Sequence, residues 1–307
     1  AEQIADRIVV MKDGRIVEEG QSEQIFRDPQ HAYTKKLLGY AAYGKGGSHY
    51  HGRIRAAAQE KITQKETKQT EKEADDALLS IRGLSKSFPI DKHTRKQVLH
   101  DVSLAIHRGE IVGLIGSSGI GKSTLARCIM GICAPDSGEV IVREGVRIQM
   151  IFQDSASSLN QRMRVEEIVL EPLKLSRRKP KRGTYRKEAE FQLKYVGLDS
   201  SFLDRYPSEL SGGQRQRVAI ARALIMDPEL VVADEPIASL DVSIQAQIVG
   251  LMMRIQQELG LTYIFIGHDL SVVRHLSNQV AVMYLGKFME LTSSDELYEK
   301  REALDVL

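Results

Sequence analysis

The sequence predicts an α/β fold in which a core sheet carries helices on both faces. From Leu78 onward, short apolar runs alternate with helical segments, which is the pattern of a sheet covered by helices. Two of these runs, Ile111–Ile115 and Leu230–Ala233, are apolar throughout and have the length of buried strands. One of them leads into a glycine-rich loop, and the other ends in two acidic residues.

Composition excludes several classes of protein. The chain has 307 residues, of which 42% are hydrophobic and 27% charged, a balance typical of folded globular proteins. A formal net charge of +2 gives no support to nucleic acid or an anionic membrane as the main partner. No apolar run approaches the roughly 20 residues that cross a bilayer, so we expect any membrane connection to come through another polypeptide. Cys128 and Cys133 match no metal spacing and are interpreted as core thiols in a reducing cytoplasm.

The chain divides by composition into three zones. Residues 1–43 contain an apolar strand at Ile8–Met11, a turn, and its continuation at Ile16 and Val17, which together predict a hairpin. Residues 44–77 are rich in glycine and charged residues and are predicted to form a flexible charged linker. Residues 78–307 are predicted to form one complete or nearly complete domain.

An internal repeat relates the two ends of the chain. Residues 4–18 align with residues 276–290, and the pattern continues at residues 23–26 against 295–298. The match covers a hairpin and the helix after it, which chance does not readily produce. We therefore predict that residues 1–43 are the C-terminal remnant of a first copy of the domain that fills residues 78–307.

A phosphate-binding loop follows the first buried strand. The segment Gly116–Thr124 fits the P-loop pattern in its strand–loop–helix context. Its glycines let backbone N–H groups point at phosphates, and the following helix adds its positive N-terminal end. Lys122 would neutralise the β- and γ-phosphates, and the Ser123 hydroxyl would bind Mg²⁺. The residues predicted to bind ATP here are Gly116, Ser117, Ser118, Gly119, Gly121, Lys122, Ser123 and Thr124.

Two carboxylates end the second buried strand. In an open α/β sheet, a carboxylate at the C-terminal end of a strand lies beside the P-loop. Asp234 is predicted to hold Mg²⁺, and Glu235 to accept the proton of the attacking water.

The segment Leu210–Arg217, Leu-Ser-Gly-Gly-Gln-Arg-Gln-Arg, resembles the signature of the ABC ATPases. Ser211 and the glycines open a helix running through Arg215–Ile225, which makes a second anion-binding helix terminus. The resemblance implies a P-loop NTPase core with a small antiparallel β part and a helical subdomain. It also implies that two such domains meet head to tail, each ATP lying between one P-loop and the other domain's signature. The signature residues expected at the nucleotide are Ser211, Gly212, Gly213 and Gln214.

Four further residues match family positions. Gln153, after the strand Ile148–Phe152, matches the glutamine that contacts Mg²⁺ and water and senses the permease. His268 matches the histidine at the γ-phosphate, and Asp241 the segment that crosses to the opposite subunit. Phe88 matches the aromatic residue that stacks on adenine.

Three longer segments are similar to the ATPases of dipeptide, oligopeptide and nickel importers: Gln153–Asn160, Leu240–Ile248 and His268–Arg274. Asp28–Thr34 resembles the sequence that closes the core in that group. The resemblance implies ATP hydrolysis that powers transport of a peptide-type solute through a separate permease, at the cytoplasmic face of the cell membrane. The implied partners are permease subunits, a second ABC ATPase domain (in the same full-length chain, in a homodimer or in a paralogue) and, indirectly, a solute-binding protein. No nucleic acid is expected.

Two alternatives remain open. Twin-domain ABC proteins that act on ribosomes also carry two copies and a charged linker, and ABC clamps act in DNA repair. The sequence departs from the family pattern at Ile120, at Ile237 and in a shortened segment between Gly138 and Gln153. The shortened segment is the departure expected to affect the adenine site or the permease contact. The basic run at residues 177–182 is interpreted as a solvated turn, and His49 and His51 are not expected to bind metal.

Overall fold

The computed structural model describes residues 7–12, 15–35, 77–91 and 94–299. The chain forms two compact units, the first comprising Ala1–Glu66 and Asp241–Ala246 and the second Thr67–Leu240 and Gln247–Leu307. Except for Ala77, the linker predicted at 44–77 lies outside the described residues, as do His49 and His51.

The first unit contains a hairpin and a short helix. Strands β1 (Arg7–Lys12) and β2 (Arg15–Gln21) are antiparallel, and helix α1 (Ser22–Arg27) follows directly. The Glu18 carboxylate accepts hydrogen bonds from the backbone N–H groups of Gln30 (2.6 Å) and His31 (3.0 Å). Glu18 thereby holds the segment after α1 against the hairpin.

The second unit supplies the remaining elements. Its strands are β3 (Leu79–Pro89), β4 (Arg95–Ile106), β5 (Ile111–Ile115), β6 (Ser137–Val142), β7 (Ile148–Ile151), β8 (Leu230–Asp234), β9 (Thr262–Ile266), β10 (Gln279–Tyr284) and β11 (Lys287–Ser293). Its helices are α2 (Lys122–Ile129), α3 (Ser155–Ser158), α4 (Val165–Leu175), α5 (Tyr185–Tyr195), α6 (Gly212–Leu224), α7 (Val242–Leu259, whose first residues belong to the first unit), α8 (Leu270–Leu276) and α9 (Ser294–Glu299).

A six-stranded sheet forms the centre of this unit, in the order β11-β10-β5-β9-β8-β7. The five strands from β10 to β7 are parallel, and β11 is the antiparallel edge strand. Every residue of β5, β8 and β9 is buried, and the two apolar runs in the sequence predict this for β5 and β8. Because parallel strands end at the same edge, the residues that follow β5, β7, β8 and β9 gather there.

The predicted small antiparallel part is also present, as the sheet β4-β3-β6. The main core includes Ile81 and Leu104 from this sheet, Leu114 and Ile266 from the central sheet, and Leu125 from α2. This core fixes α2, and with it the glycine-rich loop, against the central sheet.

The predicted helical subdomain consists of α3, α4, α5 and the first part of α6. The basic run lies in the turn between α4 and α5, and three of its cations form ion pairs with acidic residues of this unit. Arg178 and Lys181 pair with Asp227, while Arg182 donates to the buried carboxylate of Glu188 at 2.6 Å.

Among the residues described, none of the helices is long and apolar enough to cross a membrane.

Candidate active site

The loop between β5 and α2 is shaped by glycines. Gly116 has φ 147°, and a Cβ there would lie 2.3 Å from the carbonyl oxygen of Met283. Gly121 has φ 116°, and its Cβ would lie 2.8 Å from the carbonyl oxygen of Val98. Both positions therefore require glycine for space as well as for conformation. A Cβ on Gly116 would also meet Cδ1 of Ile120 at 2.3 Å, so the bulky residue at position 120 is accommodated partly by that glycine.

The Lys122 side chain lies inside this loop. It is 4% exposed, and its Nζ donates to the carbonyl oxygens of Gly116 (2.7 Å) and Ser117 (2.9 Å). Burial lowers the pKa of the Lys122 ammonium, while the charges of Glu235 and Asp234 act in the opposite direction. Of the other predicted loop residues, Ser117, Ser118 and Gly119 are exposed and Thr124 is half-buried.

Two oxygen ligands lie together at the start of α2. The Ser123 hydroxyl donates to Oδ1 of Asp234 at 3.2 Å, joining α2 to the end of β8. Asp234 is only 5% exposed, and burial raises the pKa of its carboxyl group. A hydroxyl and a buried carboxylate are hard oxygen donors of the kind that Mg²⁺ prefers.

One carboxylate oxygen of Glu235 is approached by both Gln153 and His268. Gln153 Nε2 donates to Glu235 Oε2 at 2.8 Å, and His268 Nδ1 lies 3.7 Å from the same oxygen. Glu235 has a φ of 44°, and its N–H donates to the carbonyl of Ile266 at the end of β9. Left-handed backbone in a non-glycine residue is uncommon and clusters at functional sites. The structure thus brings together the ends of three strands, β7, β8 and β9.

The signature segment begins α6 three residues earlier than the sequence suggested. Ser211 is the N-cap: its Oγ accepts from Gln214 N (3.3 Å), and Gln214 Oε1 accepts from Ser211 N (2.9 Å). A Cβ on Gly212 would lie 3.1 Å from Leu240 Cδ2. These two hydrogen bonds cap the segment's own helix, and its role at a nucleotide remains a prediction.

Asp241 and Phe88 also remain predictions. Asp241 Oδ1 accepts from Ile244 N at 3.0 Å, which caps the start of α7. Phe88 lies on β3 with its side chain 40% exposed, and Lys86 Nζ lies 5.6 Å from the ring centroid.

A groove of about 700 Å³ extends from the site towards the helical subdomain. Ser123, Gln153 and Asp234 line it together with Glu171 of α4 and Arg222 of α6. Arg222, which is not among the predicted site residues, donates to the Ser158 carbonyl at 2.8 Å, and burial lowers its pKa. No local motif marks this arginine, because only the packing of α6 against α3 places it in the groove.

The central sheet, the glycine loop with its buried lysine, and the acids after β8 define a P-loop ATPase. Residues 99–238 match the family described as ABC transporter. The chain is 45% identical over 245 residues to the oligopeptide transport ATP-binding protein AppF of Bacillus subtilis, covering 73% of this chain and 74% of that protein. It is 45% identical over 229 residues to the probable D,D-dipeptide transport ATP-binding protein DdpF of Escherichia coli, covering 72% and 74%. The chain therefore belongs to the ABC transporter family, as an ATPase.

Solved structures agree with this assignment. The cbiO1 structure from Clostridium perfringens, part of the ABC transporter complex cbiONQ, has a TM-score of 0.63 at 28% identity, covering 75% of this chain and 94% of that one. A dimeric ATP-binding cassette in a post-hydrolysis state, bound to ADP and Pi, has a TM-score of 0.64 at 29% identity, covering 70% and 98%.

Proposed function

We propose that this ATPase drives the import of a peptide-type solute through a separate membrane permease, with Glu235 as the base that activates water. The observation that carries the catalytic part is the meeting of Gln153, Glu235 and His268 at one carboxylate oxygen, beside the phosphate loop. Names of relatives such as AppF and DdpF support the solute class.

Glu235 accepts the proton of the attacking water in this proposal. Its left-handed backbone and the hydrogen bond from its N–H to the Ile266 carbonyl fix where the side chain starts. The amide of Gln153 orients the carboxylate by donating to Oε2, and His268 approaches from the end of β9. Positioned general bases contribute on the order of 10²–10⁴-fold to rate.

Mg²⁺ would be held by Asp234, Ser123 and the amide oxygen of Gln153, and when bound it supplies charge neutralisation at the phosphates. Asp234 suits this role because it is a buried carboxylate beside the Ser123 hydroxyl, which donates to its Oδ1. The Lys122 ammonium would give up its hydrogen bonds to the two loop carbonyls and donate to phosphate oxygens instead. The backbone from Ser117 to Thr124 would orient the phosphate chain, with the adenine against Phe88.

The site is completed by a second ABC ATPase domain. Ser211, Gly212, Gly213 and Gln214 would bind the phosphates of the opposite domain's ATP. The first N–H groups of a helix have no backbone acceptor within it, and the Ser211 hydroxyl already takes the one of Gln214. Asp241 would lie at the same interface. The second domain belongs to the same full-length protein, to a second copy or to a paralogue.

We place the protein at the cytoplasmic face of the cell membrane, bound to permease subunits that receive solute from a binding protein. The groove beside Gln153 is the surface we assign to the permease, since a contact there reaches Glu235 through a single hydrogen bond.

Glu235→Gln tests the catalytic assignment. The amide keeps the size of the side chain but cannot take up the proton, so we expect at least a 100-fold fall in kcat with ATP still bound. Glu139→Gln, an exposed acid on β6, is the matched control and should keep the wild-type rate. Hydrolysis by Glu235→Gln at the wild-type rate would remove Glu235 from the mechanism.

Fractionation tests the transport assignment. A tagged full-length chain should sediment with membranes and be released with integral-membrane subunits after mild solubilisation. Recovery with ribosomes instead would favour the twin-domain ribosomal alternative and leave the Glu235 assignment intact.

A further inference from the structure

The two ends of the chain repeat each other in structure as well as in sequence. Hairpin β1-β2 has the same register as β10-β11, from Arg7↔Gln21 and Gln279↔Ser293 at the open ends to the turn. Both hairpins break register at the equivalent step, between Val10 and Met11 and between Val282 and Met283. In each case, a six-residue helix follows the second strand without a gap, α1 after β2 and α9 after β11.

In the second unit, the repeated hairpin is covered on one edge and one face. Strand β10 pairs in parallel with the P-loop strand β5, in the register Gln279↔Val112 to Val282↔Ile115. Ala281 (0% exposed) and Met283 (1%) point into the main core, where Phe288 packs beside them.

In the first unit, the same positions are open. Val9 (47% exposed), Met11 (58%) and Ile16 (60%) correspond to Ala281, Met283 and Phe288. The positions buried within the hairpin and helix themselves do not differ: Val10 is 6% and Ile25 3% exposed, as their counterparts Val282 and Leu297 are 1% each. Within the described part of the chain, β1 is hydrogen-bonded to β2 alone in a two-stranded sheet.

We propose that residues 7–35 supply the edge hairpin to the sheet of another ABC ATPase domain, with β1 parallel to that domain's P-loop strand. The P-loop strand of residues 78–307 is not the occupant, because β10 already fills its edge. The four residues Arg7–Val10 would pair as Gln279–Val282 pair with Val112–Ile115. Val9, Met11 and Ile16 would then enter the core of that domain. This inference rests on the family assignment and is independent of the transported solute.

The hairpins can be exchanged to test the proposal. In the full chain, residues 279–299 are replaced by a copy of residues 7–27, which has the same length. Gly14 then takes the place of Gly286, where a Cβ would lie 2.2 Å from the Val98 carbonyl oxygen. We expect this in-register graft to keep ATPase activity within about tenfold of the wild type. It should also keep slow hydrogen exchange at Val112–Ile115.

The matched control is a graft moved by one residue, using residues 8–28. This shift turns every side chain of the strand to the opposite face, so both readouts should be lost. A second in-register graft carries Val9→Ala in the copy, to match the smaller Ala281. Loss of exchange protection in both in-register grafts, as complete as in the shifted graft, would overturn the proposal. If the in-register graft keeps exchange protection but neither it nor the wild type hydrolyses ATP, the result counts against the catalytic proposal only.

Discussion

Replacing the buried carboxylate of Asp234 should change stability and nucleotide response in opposite directions. Asp234 is 5% exposed, and its pKa is raised chiefly by burial, with the neighbouring charge of Glu235 adding to the effect. A carboxyl whose folded-state pKa is raised destabilises the fold while it is ionised, and this cost is relieved as pH falls through the folded pKa. At neutral pH, Asp234→Asn removes the charge and keeps an oxygen for the Ser123 hydroxyl.

The size of the effect follows from burial on one side and, on the other, from the Ser123 hydrogen bond and the smaller attraction of Arg127 and Lys122. The effective penalty for burying an ion is several kcal/mol, whereas a hydrogen bond to a charged group returns about 1.5–3 kcal/mol. A net gain of about 1–2 kcal/mol is therefore expected for Asp234→Asn in nucleotide-free protein. For a domain of this size, that corresponds to a rise in Tm of about 2–8 °C.

Thermal unfolding with and without MgATP provides the assay. The wild type should gain about 2.7 kcal/mol at a nucleotide concentration 100 times Kd, while Asp234→Asn should gain much less, so the order of the two Tm values reverses. Asp204→Asn is the control, because Arg186 lowers the pKa of that exposed carboxyl and no gain is expected. A Tm of nucleotide-free Asp234→Asn at or below the wild-type value would refute the reasoning.

Three other changes have defined outcomes. Leu285→Asn in the β10-β11 turn should raise the free energy of unfolding by about 1 kcal/mol in denaturant titrations, because Leu285 is 66% exposed and has a φ of 45°, a backbone conformation that Asn tolerates better than Leu. An unchanged free energy of unfolding would show that the turn is unstrained. Arg182→Ala should lower the free energy of unfolding by about 3–5 kcal/mol, because it leaves the Glu188 carboxylate (3% exposed) without its ion-pair partner. The double variant Arg182→Ala with Glu188→Gln should recover part of this loss in the same denaturant titration. Burial raises the pKa of Cys128 to about 11, so roughly 0.1% of it is thiolate at pH 8 and it should resist iodoacetamide. The half-buried Cys133 should be labelled first. Peptide mapping that finds Cys128 labelled first would contradict this prediction.

The parts of the site that follow from local sequence were the most predictable. Gly116 and Lys122 belong to one strand–loop–helix motif, so their proximity needs no knowledge of the sheet order. The meeting of Gln153, Glu235 and His268 depends on β7, β8 and β9 being neighbours, which only the family resemblance supplied. The left-handed φ of Glu235 has no sequence signal, because its side chain does not favour that conformation.

Tertiary packing accounts for what the sequence left out. The composition of the basic run predicts its turn, but nothing local shows that the Arg182 guanidinium lies 3.3 Å from the Phe191 ring centroid and pairs with a buried glutamate. Arg222 lacks a local sequence signal for the same reason. The roles of Phe88 and of Ser211–Gln214 depend on a base and on a second domain, so they stay predictions.

The matching registers of the two hairpins have a kinetic consequence during synthesis. About 160 residues separate the end of β5 at Ile115 from the start of β10 at Gln279. At translation rates of about 5–20 residues per second, roughly 8–30 s pass between the two. During that interval, the only hairpin of this register already made in the described chain is β1-β2, so it competes for the edge of β5. Were the partner domain proposed above already folded, its engagement of β1 would remove this competitor and direct each hairpin to its own sheet.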